Sequence, residues 1–275
     1  MRNGFVEQLR RYRHVFSGII ILALTMASIN AGKGDDINPG LYSTDSTPYG
    51  ISYQEWTQRL WQWDLSLPPA QHPLHNYTPE NCANGQDGPV WFLAEVLSGT
   101  EERTCTIPAG KSILAALLDG ECDSSDPTLQ NDQDVRQCAT EGNDYGVISA
   151  TLDGRRMQNL DQYRIDSGFY NITISGDNIA DEKPGTYRAF TNGFFVFLQP
   201  LQNGTHDLRL TVSVTNPVKP QYNYAADWTY HLLVSEEGAV PEFPLSFIVM
   251  AISLFSVIAI FQIARIRKTL WSSRA

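Results

Sequence analysis

The chain has 275 residues, and its 30 Asp and Glu outweigh 20 Lys and Arg for a formal net charge of −10. Between residues 33 and 240 the imbalance deepens to 12 basic against 28 acidic side chains, a surface that repels phosphate backbones and excludes nucleic acid as a partner. Cations, basic proteins and neutral glycans remain compatible.

Residues 1–31 begin with Arg2, Arg10, Arg11 and Arg13, continue as the apolar run VFSGIIILALTMASI and end in small residues that include Ala27 and Ala31. That order is the order of a signal peptide, with an uncleaved N-terminal anchor as the alternative. Residues 32–51 read as a linker and 52–236 as one extracytoplasmic domain, long enough for a sizeable core. Ser52-Tyr53-Gln54-Glu55 has the form of a capping box at a helix start. Trp56, Leu60, Trp63 and Leu67 then share one helical stripe, and Pro68-Pro69 ends the helix. Trp61 and Leu65 point elsewhere, either beneath a loop or toward a ligand. His72 and His75 offer two imidazoles to copper or zinc, but Pro73 between them breaks the helical spacing such pairs use. A solvated loop is the other reading.

Beyond the helix the apolar pattern takes period two, as in strands. The runs are 90–96, 103–107 after a Ser98-Gly99 turn, 112–118, 147–152 before an Asp153-Gly154 hairpin turn, 170–174, 194–198, 208–214 and 228–234. Short strands between turn residues predict an all-β fold, an antiparallel β-sandwich of jelly-roll or immunoglobulin-like type behind an N-terminal amphipathic helix.

Cys82, Cys105, Cys122 and Cys138 form no Cys-x-x-Cys pair, so an even set outside the cell reads as disulfides rather than zinc ligands. Three connectivities are open, and pairing Cys82 with Cys105 and Cys122 with Cys138 closes the shortest loops. Gly110-Lys111-Ser112 looks like the end of a phosphate-binding loop, but Cys105 stands where the first glycine is needed and Pro108 lacks an N–H. A turn between two strands is expected there, and no nucleotide. Asp119, Glu121, Asp123 and Asp126 begin like a calcium loop, yet Ser124 and Gln130 replace its glycine and its closing glutamate. A calcium site of another kind or a solvated disulfide loop are the two alternatives; no other cofactor is expected. Sequons at Asn76, Asn171 and Asn203 fit a glycosylated surface. The chain has no Gly-x-Ser-x-Gly and no His-Glu-x-x-His, which removes the two most recognisable hydrolase motifs.

Residues 237–244 read as a second linker, and the uncharged stretch 245–264 makes about 30 Å of helix, enough to span a bilayer. Arg265, Arg267 and Lys268 place the tail 265–275 in the cytoplasm and the acidic body outside. The order of Pro241-Glu242-Phe243, span and basic cluster resembles an archaeal C-terminal sorting signal. That resemblance implies cleavage by an archaeosortase, a sorting protease, and transfer to a lipid-type anchor. Residues 269–275 run past the point where such signals stop, so a retained span is the alternative.

The body resembles an uncharacterised family of exported bacterial and archaeal proteins. The matching pieces are Glu80-Asn81-Cys82-Ala83, Gly85-Gln86, Gly88-Pro89-Val90-Trp91-Phe92-Leu93, Arg103-Thr104-Cys105-Thr106, Pro108-Ala109-Gly110-Lys111 and Tyr163-Arg164. This resemblance implies export and the cysteine frame. The expected function is that of a membrane-anchored cell-surface protein that binds a glycan, a cation or an envelope protein, with a secreted glycan-active or metal-dependent enzyme as the alternative. Trp and acids clustered at one end of the sandwich favour the enzyme; scattered acids and a flat face favour the binding protein.

Overall fold

The computed structural model describes residue 38 and residues 40–236. The signal segment, the Pro241-Glu242-Phe243 motif, the 245–264 span and the basic tail lie outside them. Among the described residues no helix is long and apolar enough to cross a membrane.

Helix α1 (Tyr53–Asp64) starts where Ser52 Oγ accepts the Glu55 N–H at 3.1 Å. The box is not reciprocal, because the Glu55 carboxylate turns to Arg59 one helical turn on, at 2.8 Å. Its predicted stripe is buried: Trp56, Leu60, Trp63 and, past the helix end, Leu67 pack with Phe92, Phe195 and Phe197.

Nine strands make two sheets. Sheet A has the order β1 (Val90–Leu93), β3 (Ser112–Asp123), β7 (Gly185–Leu198), β6 (Arg164–Ile174). Sheet B has the order β2 (Gly99–Pro108), β9 (Tyr224–Ser235), β8 (Gly204–Val214), β4 (Gly146–Leu152), β5 (Arg155–Arg156). The main core lies between them, with Leu208, Leu210, Trp228, Tyr230 and Leu232 of sheet B in one cluster with Leu93, Leu117, Val196 and Leu198 of sheet A. Sheet A turns its other face to α1, which explains why β1 and most of β7 are buried on both sides while β2, β8 and β9 alternate.

The sheets are mixed rather than wholly antiparallel. β1 runs parallel to β3, and β2 runs parallel to β9. The Ser98-Gly99 turn therefore joins no hairpin: β1 is apolar on both faces and belongs in the covered sheet, while β2 alternates and belongs at the edge of the half-exposed one. The Pro108-Ala109-Gly110-Lys111 turn likewise passes the chain from sheet B to sheet A, with Gly110 at φ 84°. Asp153-Gly154 does close the hairpin of β4 and β5, both residues at positive φ (51° and 73°) as a type I′ turn requires.

A second helix, α2 (Asp132–Glu141), occupies a stretch that read as a solvated acidic loop. Asn131 Oδ1 caps it by accepting the N–H groups of Gln133 and Asp134 at 2.9 and 3.1 Å, and Asp132 and Asp134 sit in its first turn, where the helix dipole favours acids. Here capping and dipole outweigh the low apolar content, and only Val135 and Ala139 are buried.

Each outer edge of sheet A has one residue clamped by a side-chain amide. Gln86 donates to Phe92 O at 2.8 Å and accepts Phe92 N–H at 2.9 Å, and Gln62 of α1 does the same to Thr173, at 2.8 and 2.9 Å. Each glutamine takes the place of a neighbouring strand.

The disulfides are Cys82–Cys105 and Cys122–Cys138, the two local loops, with no free cysteine among the described residues. The first ties the segment after α1 to β2, and the second ties α2 to β3. Non-reducing peptide mapping should return these two links, and mutating either pair should cost about 3 kcal/mol of unfolding free energy. A Cys82–Cys138 link would contradict the arrangement.

Candidate functional site

β1 pairs with β3 only from Ser112 to Ala115, so the remainder of β3 lacks a strand neighbour on that side. A bulge between Ala116 and Leu118 then resets the alternation. Beyond it Asp119, Glu121 and Asp123 stand at every second position, which puts them on one face of the strand. Gly193 of β7 pairs with Asp119 and, having no side chain, leaves room for it.

Three other segments meet this edge. Trp61 arrives from α1, Glu95 and Leu97 from the stretch that leaves β1, Tyr222 from the turn before β9 and Tyr224 from the start of β9. Together they enclose a cleft of about 530 Å³, lined among others by Trp61, Glu95, Asp119, Glu121 and Tyr224. Tyr222 and Leu97 form an apolar rim, 48% and 60% exposed. The Cys122–Cys138 bridge lies in the same wall and holds it in shape.

The carboxyls in the cleft have unequal surroundings. Asp119 Oδ2 accepts the indole N–H of Trp61 at 2.7 Å. Glu95 and Asp119 both line the cleft. Burial raises the pKa of both; the donors at Asp119 act against this and favour its ionised form, whereas the Asp119 charge pushes Glu95 further up. Glu121 is pushed up to about 9, first by burial and then by the charges of Asp123, Glu182 and Asp119. Glu95 Oε1 and Glu121 Oε1 are both buried without a hydrogen-bond partner in the protein. Burial also raises the Tyr224 phenol, with Glu95 and Asp119 adding to it. Asp119 is itself raised to about 7, chiefly by burial, so near neutral pH the cleft is only weakly anionic, with Glu121 and the Tyr224 phenol protonated.

The residues singled out in the sequence are dispersed by the fold. Trp61 reaches the cleft, but Leu65 is core, 2% exposed and packed with Ile172, Ile174 and Ala189. His72 is fully buried, and both its nitrogens are engaged: Nε2 with Asp64 Oδ1 at 2.9 Å and Nδ1 accepting the Leu74 N–H at 3.0 Å. Leu74 thus fixes the tautomer with its proton on Nε2, and no lone pair is left for a metal. His75 is exposed. Asp119, Glu121 and Asp123 lie on an extended strand rather than curling round an ion, while Asp126 accepts from Thr128 in the turn that follows, at 2.8 Å. Among the described residues no three His, Cys, Asp or Glu side chains are arranged to hold a metal ion. Asn76, Asn171 and Asn203 are all exposed.

Glu95, Tyr222 and Tyr224 were not legible as site residues. Glu95 lies in an irregular linker, and its approach to Asp119 depends on the parallel β1–β3 pairing. The one usable signal was the alternation of acids directly behind the apolar run at 112–118, which extends that strand and fixes a shared face. Set against known proteins, the chain matches no family model, and no curated protein matches it.

Proposed function

We propose that this is an extracytoplasmic domain, held at the outer face of a membrane by the 245–264 segment, whose β3-edge cleft binds a neutral glycan. The two disulfides support a compartment outside the cytoplasm. Export and the Pro241-Glu242-Phe243 sorting step rest on the sequence alone, as does kinship with the exported family.

The observation that carries the ligand class is the juxtaposition of aromatic faces with protonated carboxyls in one cleft. Trp61, Tyr222 and Tyr224 offer flat apolar surface to the C–H face of a sugar ring, and neutral carboxyls both donate to and accept from hydroxyls. A cationic ligand finds largely protonated carboxyls there, and a phosphate finds no cation in the wall.

Titration of the full-length chain in detergent with neutral oligosaccharides, followed by calorimetry, tests this reading. Binding should weaken about tenfold or more in Trp61→Ala, the loss expected for about 1.4 kcal/mol of stacking. Equal affinity of the variant, or no affinity of the parent for any neutral glycan, contradicts it.

A further inference from the structure

We propose that the cleft takes its glycan in trans, from a surface opposite the membrane that carries the domain. The inference rests on the glycan reading above and adds where the sugar must stand.

Strand directions define two ends of the fold. β9 starts beside the cleft at Tyr224 and finishes at Ser235, shortly before the 245–264 segment. Its 12 extended residues hold those two points about 35 Å apart at 3.2–3.4 Å per residue. The neighbouring strands agree: Gly99 and Val214 lie at the cleft end, Pro108 and Gly204 at the exit end. So does sheet A. Ala109 N–H donates to Ser235 O at 2.7 Å, and Ser112, three residues on, starts the strand that reaches the cleft only at Leu118. The chain also enters the domain at the exit end, since Leu41 bridges Leu198 and Tyr42 Oη lies 3.2 Å from Ser112 Oγ. Both chain connections thus sit at one end and the cleft at the other.

Residues 237–244 are the only link to the 245–264 segment, and eight residues extend to about 29 Å at most. Pointing the cleft at its own bilayer would lift the exit end about 35 Å above it, beyond that reach. Laying the domain flat would press a body with 28 acidic and 12 basic residues between 33 and 240 onto the lipid, where anionic headgroups repel it. The outward end is also suited to contact. Of the large apolar side chains exposed among the described residues, Leu97, Tyr145, Val147, Val218 and Tyr222 lie at this end, and only Tyr49 and Leu233 at the other. Leu97 and Tyr222 rim the cleft, and the other three continue that rim along the start of β4 and the loop between β8 and β9. Such a concentration marks a surface that meets a partner.

The full-length chain would be reconstituted into vesicles of phosphatidylcholine and phosphatidylglycerol. A second population would bear lipid-linked trisaccharides of β-1,4-linked glucose, mannose or N-acetylglucosamine, chosen because three sugars are too short to climb about 35 Å. Light scattering reads tethering between the populations. At least one sugar should tether them and its free form should release them, while Trp61→Ala and Tyr222→Ala should each need about tenfold more sugar-bearing lipid. Placing the same lipid-linked sugar in the protein's own vesicles should leave tethering unchanged. Calorimetric binding of the free sugar without tethering, or loss of tethering to sugar in the protein's own membrane, overturns the placement and leaves the glycan reading intact. Absence of binding to all three sugars overturns both.

Discussion

Urea unfolding should show a protein that is most stable near pH 5 and loses stability steadily toward pH 8. Glu121 titrates near 4.5 in the unfolded chain and near 9 in the fold. A carboxyl whose folded pKa is raised imposes no penalty below its unfolded value, and an increasing one as pH climbs toward its folded value. Between those limits one such group costs about 1.4 kcal/mol per pH unit. Glu95 and Asp119 act in the same direction. So do His206, held charged by Asp153, and His231, held charged by Asp207 and Glu102, whose contributions are lost above their ordinary value of 6.5. The lowered carboxyls, Asp126, Asp132, Asp153 and Asp227, destabilise only when protonated, below about pH 4. Glu121→Gln should remove much of the slope and gain a few kcal/mol at pH 8. An unchanged slope in that variant would show that Glu121 is not buried as described.

Gly193→Ala should lower stability by about 3 kcal/mol and abolish ligand binding together, whereas Gly176→Ala should change stability by less than about 0.5 kcal/mol. A Cβ at 193 would lie 2.1 Å from Asp119 Cβ and 2.6 Å from Leu118 O, so the strands themselves must separate. At 176 the nearest atom is Pro184 Cγ at 3.9 Å, an ordinary contact. Thermal melts read the first effect and glycan titration the second. Near-parental stability of Gly193→Ala would mean that β7 and β3 are not in the register that sets Asp119.

Local signals carried much of the architecture, and long-range ones did not. The α1 stripe was legible because Ser52, the 3.6-residue period and Pro68-Pro69 all lie within one short window. The strands at 147–152, 170–174, 208–214 and 228–234 were legible from alternation and flanking turns. What could not be read was partnership: β2 finds β9 more than a hundred residues later, and nothing in either strand names the other. The site suffered most from this. Asp119 and Glu121 were noticed as acids but taken with Asp126 as a loop, since Gly120 and Cys122 dilute the strand signal. Glu95 gave no local signal at all, because only the fold brings it to Asp119.

The glutamine clamps on Phe92 and Thr173 bear on how two copies of this fold meet. Sheets grow when a bare margin meets another bare margin, and a dense layer of identical neighbours offers that encounter constantly. Gln86 and Gln62 satisfy the outward N–H and C=O of Phe92 and Thr173, so a passing copy finds those rungs already taken. Beyond Ala115, β3 has no strand neighbour on the β1 side, and that stretch opens into the cleft. The open margin of sheet A thus faces a walled hollow and not a flat face, which hinders edge-to-edge pairing there.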